Sequence, residues 1–324
     1  MSEPSSIRRA IQKGVAFLES EQLPSGEIPI EISSTPEMNG ECIRDPSVFP
    51  AALAARALSN TASAACIRAR ALDFLEREMD RDGLWRHRAR ENAGYRYIPP
   101  DLDDTAVASA ALVAAGRRFP NNRPLLLANR ERGGLFRTWI VRWRHPLAMV
   151  RFFRSTTADV RDVDAVTNAN ILIYLGVCDE THPAIAHLLA VLRANREMLC
   201  DKWYVSRFAI WYFFSQALHA IAPEAVELIM PRLEAATPLN ALEHALATST
   251  SLLWKRVPDV RHLIDAQLPS GAWPRTGFYH GGCERISPQE WRPTPPWWGS
   301  EALTTVFAVE ALTRYFSRTY VKYE

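Results

Sequence analysis

Asp101, Asp103 and Asp104 crowd the start of an alanine-rich stretch, in Pro99-Pro100-Asp101-Leu102-Asp103-Asp104-Thr105. The prolines stop whatever precedes them, and the residues that follow, to Gly116, predict a helix. Carboxylates this close repel one another, so at least one keeps its proton near neutral pH. A protonated aspartate beside an apolar surface is a Brønsted acid suited to protonating a carbon–carbon double bond. The plainer reading is a helix start, because Asp101 after two prolines is a good N-cap and acids favour a first turn. The rest of the chain decides between them.

The 324 residues can bury a substantial core, and no low-complexity linker divides them, so one domain over 1–324 is expected. A net charge of +2 argues against a general nucleic-acid binder. The five cysteines are widely spaced without a C-x-x-C pair, which predicts reduced thiols in the cytoplasm. MSEPSSIRRAIQKG lacks the apolar core of a signal peptide. The charge-free stretch from Phe208 to Pro223 is short for a membrane span and reads as a buried helix.

What could position the aspartates is a repeat. Lys13 to Ile28, Arg70 to Trp85 and Val260 to Trp273 each read as an amphipathic helix, a turn, and then glycine two residues before Ile or Trp. QLPSG occurs at Gln22 to Gly26 and again at Gln267 to Gly271. Gly26 and Gly83 are 57 residues apart, room for two helices with their loops. The chain holds about six such pairs, so the expected fold is all-α, a single (α/α)6 barrel. No strand-like alternation of any length competes. Further helices are expected at Ser47 to Leu58, Ala165 to Gly176, His182 to Arg196, Tyr204 to Ile221, Glu224 to Ala235, Leu239 to Leu253 and Ser300 to Phe316. Long loops at 27–46, 86–100, 117–136, 154–163 and 274–299 are where a site is expected.

These repeats resemble the QW repeat of the squalene–hopene cyclases. Asp101-Leu102-Asp103-Asp104-Thr105 resembles the acid motif of the class II terpene cyclases in that superfamily. The stretches Pro295 to Leu312 and Asp162 to Leu172 are similar to segments of bacterial members. The resemblance implies an α/α-barrel, a protonation-initiated polyene cyclisation, and Asp103 as the acid. Typical class II cyclases add a second helical domain. This chain has room for one barrel, which is similar to the single-domain cyclases of the merosterolic acid synthase type.

Around Asp103, Asp101 and Asp104 are expected to hydrogen-bond to it, since residues three apart share a helix face. Asn168 and Asn170 interrupt an apolar run, and one of them is expected to orient the acid; a helix or turn cap is the alternative. Phe49, Trp203, Tyr204, Trp211, Tyr212 and Trp298 are candidates for the pocket wall, with Phe208, Trp291 and Trp297 nearby in sequence. Aromatic faces stabilise a cation by roughly 0.5–2 kcal/mol each without capturing it. His280 and Glu301 are candidate terminal bases. Asp162 and Asp164 form a D-x-D pair that reads as solvated rather than metal-binding. Seven arginines between Arg130 and Arg154 suit a solvated face, an anionic head group or a membrane surface.

The expected partner is a linear isoprenoid or a prenylated aromatic compound, with a farnesylated hydroxybenzoate preferred and no nucleic acid. No cofactor or metal is expected; Mg²⁺ enters only with a diphosphate substrate, in a drimanyl or copalyl type of cyclase. A class I synthase needs D-D-x-x-D, whereas Asp103-Asp104 is followed by Thr105, Ala106 and Val107. A protein prenyltransferase β-subunit needs zinc on Asp, Cys and His, and no cysteine here lies two residues after an aspartate. An inverting glycosidase or a non-catalytic lipid-binding barrel are the remaining readings.

Overall fold

The computed structural model describes residues 3–141, 146–204, 206–287 and 289–320. Six helices form an inner ring: Phe49–Ala57, Leu102–Ala114, Ala165–Leu175, Arg207–Leu218, Ala241–Leu253 and Glu301–Tyr320. Each packs on the next, and the last returns to the first. Outside them run Glu3–Glu21, Ala65–Glu78, Arg123–Ala128, His182–Arg193, Val226–Ala235 and Arg261–Asp265. This is the (α/α)6 barrel expected from the repeats.

Sequence explains the two layers. An inner helix touches neighbours on every side and must be apolar nearly all round, as in Ala165–Leu175, where nine of eleven residues are buried. An outer helix has one dry face: Ala65–Glu78 buries Ile67, Ala71, Leu72, Phe74 and Leu75 and leaves charged residues outside.

The repeat turns share one backbone solution. The amide three residues before the glycine donates to the carbonyl four residues on, and the glycine amide donates back, at Leu23/Gly26, Asp80/Gly83 and Leu268/Gly271. Gly26 and Gly271 have φ of +87° and +93°, and a Cβ would sit 2.1 Å from the Arg70 carbonyl oxygen and 2.5 Å from that of Lys13. The Gln22 and Gln267 amides donate to the Ile67 and Ala10 carbonyls, so each turn is tied to an outer helix. A fourth turn at Glu131/Gly134 has the same bonds. It was not expected, because Arg130 and Phe136 stand where the other repeats have glutamine or methionine and tryptophan or isoleucine.

Three expectations are corrected. The helix expected from Tyr204 begins at Arg207, where the Ser206 hydroxyl accepts from the Phe208 amide, leaving Tyr204 before the helix, bridged to Tyr279. The loop expected at 117–136 contains a helix, Arg123–Ala128, and a further helix, Pro146–Ser155, for which no element was expected, runs up to the loop expected at 154–163. Short strands also occur. Ile43–Arg44, Glu31–Ser33, Trp297–Gly299 and Tyr279–His280 form a four-stranded sheet in that order, and Cys283–Ser287 pairs with Glu290–Pro293 as a hairpin. At two to five residues each, they are too short to show alternation.

Candidate active site

Asp101 is extended, with φ −126° and ψ 162°, and its Oδ1 accepts the Asp104 amide at 2.8 Å, so the helix starts at Leu102. That bond and the three-residue spacing bring the Asp101 and Asp104 carboxyls together, and they hydrogen-bond to each other. The expected bonds from this pair to Asp103 are not made. Asp103 points elsewhere in the first turn: its Oδ1 accepts from Asn170 Nδ2 at 2.7 Å and its Oδ2 from the Tyr204 hydroxyl at 2.8 Å.

All three carboxyls are held above the ordinary aspartate range. For Asp103 burial raises the value, opposed by hydrogen bonds from Asn170 and Tyr204 and by the charges of Arg56 and His87. Asp101 is pushed well up by burial and by Asp104. Asp104 is pushed up to about 7, mainly by burial. His87 Nδ1 lies 3.6 Å from Asp104 Oδ2, and burial holds this imidazole below its usual range. Burial and neighbouring carboxylates push the Tyr204 phenol well up, so it remains an O–H donor. Burial thus favours the protonated form at each of the three, while Asp103 has the bonds that stabilise its conjugate base.

The trio lines a cavity of about 900 Å³. Its walls carry Phe49, Trp139, Phe152, Trp203, Tyr204, Tyr279 and Trp298. Tyr279 and Trp298 stack with centroids 5.4 Å apart, and Phe49 meets Tyr279 edge-on at 5.7 Å. Trp139 stands edge-on to Trp203 at 5.6 Å and to Phe152 at 4.9 Å. Each of these indoles donates to an aspartate: Trp298 to Asp45 at 2.8 Å, Trp139 to Asp162 at 3.1 Å and Trp203 to Asp164 at 2.8 Å. Asp162 and Asp164, expected as solvated, are instead buried clamps, with Lys202 on Asp162 at 2.5 Å. Burial lifts Asp164 to about 6.

Other candidates fall elsewhere. Asn168 is buried, and its side chain accepts from the Phe136 amide and donates to the Phe136 and Asp164 carbonyls, so it secures the fourth repeat turn and does not reach Asp103. Trp211 and Tyr212 do not line this cavity; their polar atoms bond Glu197 and Glu310, respectively. Trp211 and Trp291 line a second cavity of about 660 Å³, open beside exposed Asn195, Arg196 and Arg207. Tyr204 and His280 line both cavities. Burial holds His280 down to about 4, and its Nδ1 is 2.8 Å from the Gly282 carbonyl. Trp297 packs on His280, and Glu301 does not line the main cavity.

The sequence reading missed His87, Arg56, Trp139, Phe152 and Tyr279. His87 had one available signal, its place two residues after the repeat tryptophan Trp85 in a long loop. The cavity lining includes exposed Arg151 and Arg154, and also Arg88, which lies 3.6 Å from Asp45. Of the remaining arginines in the Arg130 to Arg154 strip, Arg142 and Arg144 lie outside the described residues. Among the described residues no cluster of three His, Cys, Asp or Glu could hold a metal ion, and no helix is long and apolar enough to cross a membrane.

No family model and no curated protein matches the chain. Solved structures do. A protein from Actinoplanes is 17% identical, with a TM-score of 0.67 over 96% of this chain and 99% of that one. A variant of type II terpene cyclase MstE from Scytonema, in complex with geranylgeranyl dihydroxybenzoate, is 14% identical, with a TM-score of 0.68 over 97% and 99%. The fold is that of the type II terpene cyclases. It also matches ent-copalyl diphosphate synthase from Streptomyces platensis, at 18% identity and a TM-score of 0.52, over 83% of this chain and 50% of that one.

Proposed function

We propose that this chain is a class II terpene cyclase acting on a linear prenyl chain attached to an aromatic acid, a farnesylated hydroxybenzoate being the preferred example. The observation that carries the reading is Asp103: a carboxyl that lines an aromatic cavity, with both oxygens held by neutral donors. An alkene is a very weak base, so its protonation needs a strong acid in a dry site. Burial keeps the proton on, and the two donors take up the charge left when it leaves.

The reaction is an isomerisation. The Asp103 O–H breaks and its proton forms a C–H bond with the terminal alkene, whose π electrons are used up. The tertiary cation draws on successive alkenes, one π bond becoming one ring σ bond at each closure. Loss of a proton from the last cation restores a neutral product, and solvent returns a proton to Asp103. Phe49, Trp139, Trp203 and Trp298 face the migrating charge without a lone pair that captures it well. The whole site is built by one barrel.

At the exposed end, Arg151 and Arg154 suit an anionic head, while Arg88, also on the lining, is paired with Asp45 at 3.6 Å. This donor set suits an anion directly and offers little to a hydrated Mg²⁺. A prenyl diphosphate is the second reading, because arginine forks also fit phosphate. The aromatic acid is preferred because a structure with this fold holds geranylgeranyl dihydroxybenzoate. Purified protein would be incubated in D₂O with farnesylated and geranylgeranylated hydroxybenzoates, farnesyl diphosphate and geranylgeranyl diphosphate. Cyclic products of the benzoates carrying one deuterium at the initiating carbon are expected. Turnover of the diphosphates alone would overturn the choice of head group, and no cyclic product from any of the four would overturn the reading.

A further inference from the structure

Behind Asp103, away from the cavity, two sets of polar side chains lie in the barrel within electrostatic reach of each other. Arg56, in the last turn of Phe49–Ala57, donates from Nη1 to Asn170 Oδ1 at 3.3 Å. Asn170 then donates from Nδ2 to Asp103 Oδ1 at 2.7 Å. Further along, Tyr212 donates to Glu310 Oε2 at 2.9 Å, and Arg314 pairs with Glu310 at 2.8 Å. None of Arg56, Asn170, Glu310 or Arg314 lines the main cavity.

We infer that Arg56 is a positioning residue for the acid: it fixes the direction of the Asn170 amide and sets a permanent positive charge behind Asp103. A guanidinium has only donors, so the amide must turn its oxygen to Arg56 and its NH₂ to Asp103. Without Arg56 only Asp103 orders the amide, and a protonated carboxyl, which can donate as well as accept, can take either end of it. Charge balance adds to the effect. Arg56 and Arg314 carry two positive charges against the single negative charge of Glu310, and ionised Asp103 completes the balance. Proton loss from Asp103 therefore neutralises an excess already in place, which makes the acid stronger. The other groups facing Asp103 are Asp101 and Asp104 from its own helix, His87 from the preceding loop and Tyr204 from the segment before Arg207, with Asp201 farther back.

The inference rests on the cyclase reading for its kinetic test, and a second measurement is independent of it. Arg56→Met is expected to lower kcat at least tenfold, with KM changed less than threefold, and to move the alkaline limb of the kcat profile upward by about one pH unit. Arg56→Lys keeps the charge and should return the limb most of the way, with partial recovery of kcat. Glu310→Gln removes the negative charge and should move the limb downward. The same ordering is expected without substrate, from infrared titration of the carboxyl band that Asp103→Asn deletes. Opposite shifts in the Arg56→Met and Glu310→Gln proteins support the assignment. An Asp103 band that titrates identically in wild type and both variants overturns it, whatever the enzyme turns over. A wild type that cyclises nothing, with the band shifts intact, overturns the cyclase reading and leaves the electrostatic coupling established.

Discussion

The Tyr204 hydroxyl donates to Asp103 Oδ2 at 2.8 Å across 101 positions of chain. Tyr204 reaches it because the inner helix begins only at Arg207, leaving Tyr204 before the helix and bridged to Tyr279. The bond joins the first turn of one inner helix to the approach of another. Much of the chemistry expected of this protein depends on that placement.

Removing the acid is the first test. Asp103→Asn should reduce cyclisation by at least about a thousandfold, near the upper part of what a general acid contributes. Substrate binding, followed by quenching of the indoles that line the cavity, should persist. Unchanged turnover would sink the assignment of Asp103.

Tyr204→Phe removes one donor to the developing carboxylate. Hydrogen bonds to charged groups are worth about 1.5–3 kcal/mol, so kcat should fall roughly 10- to 100-fold. The sign of the pH effect is fixed. Losing the donor raises the Asp103 value, so the alkaline limb moves to higher pH. A limb that moves downward would contradict the role given to this tyrosine.

The two asparagines should separate. Asn168→Ala leaves the Phe136 amide and carbonyl without their partner and should cost about 1–3 kcal/mol of stability, while the folded fraction keeps its activity. Asn170→Ala should do the reverse, losing kcat with a small change in melting temperature. Calorimetry alongside kinetics on both variants distinguishes these outcomes.

The buried acids also predict how stability follows pH. Asp104 binds its proton more tightly when folded, at about 7 against 3.8. The folded state therefore holds more protons through this range. The resulting stabilisation is full below 3.8 and is lost as pH rises through 7. Denaturant titrations at pH 4 and pH 8 should differ through this group by a few kcal/mol, at about 1.4 kcal/mol per tenfold change in proton affinity. Asp104→Asn should flatten that difference.

The indole clamps give a product test. Asp164→Asn weakens the acceptor for Trp203 and Thr138 while leaving Asp103 and its donors in place. Deuterium incorporation from D₂O should stay within threefold of wild type, while the mixture of ring products broadens. An unchanged product profile would show that the orientation of Trp203 does not steer the cation.

The barrel was legible because its signals are local. A glycine at positive φ, an apolar residue two positions later and helices on either side repeat along the chain, and the ring follows from their period. The fourth turn was hidden because its backbone bonds survive with Arg130 and Phe136 in the marker positions. The acid trio was legible as a cluster, but its internal pairing was not. Periodicity places Asp101 and Asp104 on one face, and it does not say that they bond each other and leave Asp103 to Asn170 and Tyr204. Trp211 and Tyr212 looked equivalent to Trp203 and Tyr204 because they are neighbours in sequence. The start of the helix at Arg207 sends the two pairs to different places. His87, Arg56 and the clamps Asp45, Asp162 and Asp164 act through contacts distant in sequence, which composition and spacing do not encode.

Tyr204 and His280 line both the aromatic cavity and the second, more polar cavity beside it. These two rings face both spaces, so the separation of the two cavities depends on them. Trimming either ring would breach the bulkhead. Under the proposed cyclisation, water would then meet the cation before the last proton leaves, and alcohols would replace alkenes among the products.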